Sequence, residues 1–346
     1  MDSVEVVYKI QDIKNKLKYF SFYLLDRLIG PFYSTSLPEG VPVIVILKPL
    51  GIGDLVMLSP LIEMIKNRFD HFTVLSDLPC IFVDLEEHWI SAYEIRNLKH
   101  KTFFVFPSPS LSNLQILLKH PRPYVGNLLR YSADLKVFNF NELSDHYFDR
   151  TKAILSNLKI SQSANLKYLQ LKGQETDIEG KYMCISPFCN WETRRTPQRK
   201  FLAFVKQTSE QFEKIIIVGS ANNEEVDYNK NFEIQLLQNG FKVHNLTGKT
   251  NLQQLASIIQ NSEVYIGNDS GPTHFAMISA KNVHIFDGCI PAELRMPLNN
   301  ILTKNIKSHG KSQFCKAYPC YSGLSEPQCK VQPKYQCMEI NEDEFN

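Results

Sequence analysis

A chain of 346 residues with 38 Lys and Arg against 36 Asp and Glu carries a net charge of only +2, which gives no electrostatic footprint for binding nucleic acid. Chains of this length usually exceed one hydrophobic core, so two domains are expected. No apolar stretch reaches the roughly 18 residues that a spanning helix needs, and the N-terminus lacks a basic start with an apolar core and small-residue cleavage site, so the expected location is cytoplasmic.

Residues 1–40 form the first segment, read as helical, with Ile10, Ile13, Leu17, Phe20 and Leu24 on one stripe and Lys9, Lys14, Lys16 and Lys18 nearby. Two readings stay open for it. The stripe packs on the first domain, the commoner use of such a face, or it makes a peripheral contact with the anionic inner membrane. An apolar run over 43–47 then reads as a buried strand, followed by Gly51, Gly53 and a helix whose Leu55, Leu58, Leu61, Ile62, Ile65 and Phe69 recur at helical spacing. The two glycines permit a tight turn with close backbone approach, and Asp54 falls at the helix start. Pro60 either opens the helix proper or kinks one begun at Asp54. Val56 occupies the third glycine position of a dinucleotide fingerprint, so that pattern is incomplete.

Further apolar runs over 72–75, 103–106 and 135–138 and a helix over 145–158 complete an expected α/β domain, 41–172. A hydrophilic stretch at 172–176 reads as a linker. A second domain, 177–310, follows, with strands over 183–186, 214–219, 241–246, 264–267 and 283–286. Strands alternating with helices in two sets predict two doubly wound, Rossmann-like units with a cleft between them.

Ile266-Gly267-Asn268-Asp269-Ser270-Gly271-Pro272-Thr273-His274 ends one of these strands and begins a helix. Unpaired backbone N–H groups at such a helix start carry partial positive charge and hold an anion without a metal. By itself the segment is equally a capped turn, with Asp269 as the cap. Arg194 and Arg195, just after the strand over 183–186, supply guanidinium groups able to clamp a diphosphate, or else line a solvated loop. His274 orients this loop or serves as a hydrogen-bonded structural histidine.

The last segment, 311–346, holds Cys315, Cys320, Cys329 and Cys337, four of the eight cysteines. Clustered thiols in a chain without a secretory signal raise the question of a metal, although the spacings lack paired C-x-x-C knuckles; free reduced thiols in a small lobe are the alternative.

Taken together, Gly53-Asp54 with Pro60, Asn245-Leu246-Thr247-Gly248-Lys249-Thr250, Asp269-Ser270-Gly271-Pro272-Thr273-His274 and Ile285-Phe286-Asp287-Gly288 with Pro291 resemble glycosyltransferase family 9, the ADP-heptose:lipopolysaccharide heptosyltransferase family. Asp287 stands between the phenylalanine and glycine that the family pairs, and Arg194 stands where the family carries a phosphate-binding lysine. The resemblance implies a GT-B type fold and an inverting transfer of heptose from ADP-heptose to a lipopolysaccharide core or related glycolipid acceptor. It implies Asp54 as catalytic base, donor binding by Arg194, Arg195, Asp269, Ser270, Gly271 and His274, and Gly51 and Gly53 as the glycine turn. It assigns the acceptor to 41–172 and the nucleotide sugar to 177–310. No cofactor is implied for catalysis. The C-terminal Pro319-Cys320-Tyr321 and Cys337-Met338-Glu339-Ile340 are similar to the family's ending, and iron-bearing protein heptosyltransferases that resemble the group extend this to a structural zinc or iron on the four cysteines. Alternatives kept open are a protein O-heptosyltransferase, a nucleotide-sugar epimerase and a non-catalytic nucleotide-binding module.

Overall fold

The computed structural model describes residues 42–47, 50–91, 94, 102–105, 123–125, 147–157, 160, 167–297, 305–310, 315, 329 and 331–338. The helix expected in 1–40, the strand over 135–138 and Cys320 lie outside them. The chain divides into two compact units, one running up to Gln170 and the other starting at Leu171.

The first unit carries β1 (Val43–Ile46), β2 (Phe72–Leu75), β3 (Trp89–Ile90), β4 (Thr102–Val105) and β5 (Pro123–Val125). They pair in the order β3-β2-β1-β4-β5, all parallel. Every residue of β1 is buried, as a central parallel strand covered on both faces requires. Helix α1 (Ile52–Arg68) follows β1 directly and buries Leu55, Val56, Met57, Leu58, Leu61, Ile62 and Ile65. It begins at Ile52 and runs through Pro60, so Pro60 does not open it. Ser59, inside it, accepts a hydrogen bond from the Leu169 N–H at 3.2 Å. Helix α2 (Tyr147–Asn157) packs beside α1.

The second unit carries β6 (Tyr182–Ser186), β7 (Lys214–Ile217), β8 (Val243–Asn245), β9 (Val264–Asn268), β10 (Asn282–Phe286) and β11 (Asn305–His309). Their order is β11-β10-β9-β6-β7-β8, again parallel throughout. Helices α3 (Gln198–Thr208), α4 (Asn223–Gln238), α5 (Leu252–Gln260) and α6 (Gly271–Ser279) alternate with these strands. Met183, Ile185, Phe201, Phe204, Ile215, Ile217, Phe232, Val264, Ile266 and Phe286 form the core, where strands of the sheet meet α3 and α4.

Counted within each unit, both sheets have the strand order 3-2-1-4-5, the second extended by a sixth strand. This is the doubly wound arrangement in which the first and fourth strands part their crossovers to opposite faces and leave a ligand crevice at their carboxyl ends. In the first unit that position is the end of β1, where α1 begins. In the second it lies beyond Ser186 of β6 and Asn268 of β9, which are neighbours in the sheet through the pairing of Ser186 with Gly267.

Candidate active site

At the carboxyl end of β9 the chain turns through Asp269 and Ser270 into α6. Ser270 is the N-cap residue, but its side chain makes no capping bond, and Pro272 sits in the first turn. The buried Ser270 Oγ and His274 Nδ1 have no hydrogen-bond partner among the described residues. The turn itself is fixed from behind. Asn268, fully buried, donates from Nδ2 to the Pro187 carbonyl at 2.8 Å and accepts at Oδ1 from the Thr196 N–H at 3.0 Å. One amide side chain thus ties the end of β9 to the loop that follows β6.

That loop brings Arg194 to Asp269. Arg194 Nη1 lies 3.4 Å from Asp269 Oδ2, and His274 Nε2 lies 3.6 Å from Oδ1. Burial alone would raise the Asp269 pKa, but the Arg194 guanidinium, followed by His274 and Arg295, outweighs it and holds the carboxyl well below its usual range. Asp269 is therefore a buried anion whose charge is balanced locally. The Arg194 guanidinium stands over the Trp191 ring, 4.1 Å from its centroid, which adds a cation–π contact to the ion pair.

Arg195 has a different setting. Its Nε donates to the Cys189 carbonyl at 2.7 Å, its Nη1 pairs with Glu224 at 2.8 Å, and its guanidinium lies 4.1 Å above the Phe188 ring. It braces the loop to α4 while its neighbour faces Asp269. Cys189 donates its thiol to the Asp269 carbonyl at 3.7 Å, and burial pushes that thiol up to about 11, so it stays protonated at neutral pH.

The expected site residues of this unit, Arg194, Asp269, Ser270, Gly271 and His274, are thus gathered at the start of α6, with Arg195 one step behind. Three contributors were given no role in the sequence reading: Asn268, Trp191 and Cys189. Asn268 had a legible signal, a polar amide at the last position of an apolar strand. The others depend on contacts that no local pattern encodes.

Beyond β10, Asp287 is also buried, yet its environment is the reverse of that of Asp269. Burial pushes its pKa well above the usual carboxylate range, the Ser308 hydroxyl donating to Oδ2 at 2.9 Å offsets this only in part, and Glu293 and Asp269 raise it further.

In the first unit Asp54 occupies the third position of α1, partly exposed, and its Oδ2 accepts from the Gly51 N–H at 3.3 Å. Gly51 is the N-cap with φ −83° and ψ 173°. No left-handed turn is formed there, and a Cβ on Gly51 would meet nothing nearer than Asp54 Oδ2 at 3.9 Å. Gly53 lies within the helix. The chain turns between β1 and α1 through a Leu50 N–H bond to the Leu47 carbonyl at 3.1 Å, and the two glycines follow it without a left-handed backbone.

Of the C-terminal cysteines, Cys315 and Cys337 are buried against Met338, Val331 and Tyr335, and Cys329 accepts from the Tyr335 N–H at 3.2 Å. Among the described residues no three His, Cys, Asp or Glu side chains are grouped so as to hold a metal ion. No helix among them is long and apolar enough to cross a membrane.

Known proteins share this architecture. The family model of glycosyltransferase family 9 (heptosyltransferase) matches residues 91–323. The chain is 24% identical over 257 residues to lipooligosaccharide heptosyltransferase 2 of Campylobacter jejuni, a match covering 69% of this chain and 79% of that protein. The structure of a family 9 glycosyltransferase from Veillonella parvula superposes with a TM-score of 0.62 at 15% identity, covering 90% of this chain and 97% of that one. The ADP-heptose lps heptosyltransferase II of E. coli gives 0.57 at 17% identity, over 78% and 90%. Paired parallel α/β units with these likenesses define a glycosyltransferase of GT-B fold. With two-thirds of its length matched by the family model, the chain belongs to glycosyltransferase family 9 and is a heptosyltransferase-like enzyme.

Proposed function

We propose that this enzyme transfers a heptose from ADP-heptose, with inversion, to the hydroxyl of a lipooligosaccharide or lipopolysaccharide core acceptor. The observation that carries the reading is the grouping of Arg194, Asp269 and His274 at the uncapped start of α6, in a chain of the heptosyltransferase family. The likeness to a lipooligosaccharide heptosyltransferase and to an ADP-heptose lps heptosyltransferase supports the acceptor and donor; an epimerase or a bare nucleotide module has no comparable support.

In this reading the second unit binds the nucleotide sugar and the first presents the acceptor. The diphosphate accepts hydrogen bonds from the Ser270 and Gly271 amides at the positive end of α6 and from the Arg194 guanidinium, which stands beside the same turn. Asp269 then has two tasks, setting the orientation of Arg194 and accepting from sugar hydroxyls. His274 fixes the carboxylate that does both. Arg195 keeps the loop in place and does not itself hold phosphate.

Transfer breaks the bond from the anomeric carbon to the diphosphate oxygen and forms one to the acceptor oxygen. Negative charge grows on the leaving diphosphate, where the cationic groups stand ready before the reaction starts. Asp54 takes the acceptor proton as that oxygen attacks, a contribution of about 10²–10⁴ in rate. This assigns the carboxylate a second role beside its bond to the Gly51 N–H. No cofactor enters these steps. A peripheral contact with the inner membrane, where a glycolipid acceptor would be met, belongs to the same proposal, as does a cytoplasmic location.

The test is ADP release from ADP-heptose in the presence of a heptose-free core acceptor. Asp54→Asn should keep the KM for donor and lower kcat by about 10²–10⁴. Undiminished turnover in that variant would remove Asp54 as the base.

A further inference from the structure

We infer that Tyr335, in the cysteine-bearing C-terminal lobe, is a positioning residue for Arg194, acting through Glu192. The inference rests on the reading of Arg194 as a diphosphate ligand.

Arg194 ends a three-residue helical turn, Glu192–Arg194, whose backbone bonds are few: Arg194 N–H to Trp191 O at 3.0 Å and Arg195 N–H to Glu192 O at 3.1 Å. Such a turn is held mainly from outside. Thr193 accepts at its carbonyl from the Cys289 N–H at 2.9 Å, which ties it to the loop after β10. Arg195 is tied to Cys189 and α4 as described. Glu192 is tied to the C-terminal lobe, its Oε2 accepting from the Tyr335 hydroxyl at 2.8 Å across 143 residues of sequence. Each neighbour of Arg194 in the turn is thus anchored to a different part of the unit, and Arg194 itself faces Asp269. Trp191, on which the guanidinium lies, adjoins Glu192 directly.

Tyr335 is well suited to be the fixed end. Its φ of 63° is left-handed, uncommon for a bulky aromatic residue, and persists only where the surroundings over-determine it. Its N–H donates to Cys329 Sγ at 3.2 Å, its carbonyl accepts from the Met338 N–H at 2.9 Å, and its ring packs on the cluster of Cys315, Cys337 and Met338. The lobe is seated on the sheet near Gly310, where a Cβ would stand 3.0 Å from the Cys337 carbonyl and 3.3 Å from that of Asp287. A path of contacts therefore runs from the cysteine cluster through Tyr335 and Glu192 to the arginine turn.

The experiment is calorimetric binding of ADP and AMP to the full chain, using wild type, Tyr335→Phe, Arg194→Ala, the double variant, Glu192→Gln and Glu192→Ala. Loss of the hydroxyl should weaken ADP binding by about 3- to 10-fold, the usual weight of one hydrogen bond, and leave AMP, which has no second phosphate, unchanged. Glu192→Gln, which keeps an acceptor, should bind ADP nearly as wild type, while Glu192→Ala should behave as Tyr335→Phe. In the Arg194→Ala background Tyr335→Phe should cost nothing further. Wild-type ADP affinity in Tyr335→Phe beside a loss in Arg194→Ala would overturn the positioning role and leave the donor site standing. Equal losses for ADP and AMP would also overturn it, as a general loosening of the fold. Wild-type ADP affinity in Arg194→Ala would remove the donor-site reading and this inference with it.

Discussion

Gly288 lies directly against Arg194: a Cβ at position 288 would stand 2.5 Å from Arg194 Cα and 2.5 Å from the Thr193 carbonyl oxygen. Both obstacles are backbone, which cannot swing aside as a side chain does. The loop after β10 and the arginine turn approach each other this closely because no side chain intervenes. Gly288→Ala is therefore expected to push the turn away from Asp269, with a stability cost of about 1–3 kcal/mol from overpacking. Urea unfolding checks the cost, and ADP affinity should fall in the same variant. A variant with both quantities at wild-type values would contradict the packing described.

Asp269 and Asp287 are two buried aspartates whose carboxyls are shifted in opposite directions, and isosteric amides should separate them. Asp269→Asn leaves the largely buried Arg194 without its anion, a change that typically costs about 3–5 kcal/mol. Because the folded pKa of Asp269 is depressed, its contribution is present above the unfolded value of 3.8 and is lost as pH falls below it. Asp287 has a raised folded pKa, so it binds its proton more tightly in the folded state. Its effect runs the other way, with stability falling as pH rises above 3.8. Asp287→Asn, which removes the cost of burying a charge there, should then be destabilised far less than Asp269→Asn at pH 7. Chemical denaturation of both variants at pH 7 decides this; a large loss in Asp287→Asn would mean that the carboxylate is ionised and paired.

A pair of histidines lies inside the same sheet. His284 Nδ1 and His309 Nε2 are 2.8 Å apart, with the rings stacked at 5.0 Å between centroids. Burial, then the charge of His309 and of Lys307, lowers the His284 pKa to about 3. Between about 6.5 and 3 the unfolded chain binds the proton that folded His284 refuses, so stability falls as pH falls, with a slope of up to about 1.4 kcal/mol per pH unit. His284→Gln should flatten that part of the stability profile. An unchanged slope would place the acid sensitivity elsewhere.

How far the sequence reveals this molecule depends on where each element sits in its sheet. β1, β6 and β9 are buried along their whole length; β1 is an unbroken apolar run and β6 and β9 open on apolar runs, legible without any partner. The edge strands are different. β3 has two residues, and β11 alternates exposed and partly buried positions through Asn305, Ile306, Lys307 and Ser308, so neither stands out from a loop. At the site, the turn after β9 is legible because a strand end, a polar turn and a helix start occur in order, and its reading as a donor site came from resemblance to the heptosyltransferases. The contacts that set Arg194 in place are not legible. Gly288, though part of the family-like stretch Phe286-Asp287-Gly288, and Tyr335 reach the arginine turn only through the pairing of distant strands and the seating of the C-terminal lobe, which no local pattern encodes. The same holds for the division of labour between Arg194 and Arg195, adjacent and identical in the sequence but turned to Asp269 and Glu224 respectively.

The central claim is that the start of α6, with Arg194 and Asp269, holds the diphosphate of an adenine nucleotide sugar. Calorimetric titration of the intact chain with ADP, with UDP as competitor and Arg194→Ala as the control, tests it most directly. ADP should bind in preference to UDP, and Arg194→Ala should lose about 10- to 100-fold in affinity, the weight of charge-assisted hydrogen bonds to a phosphate. Equal binding of ADP by the wild type and Arg194→Ala would contradict it, since the diphosphate would then be held elsewhere.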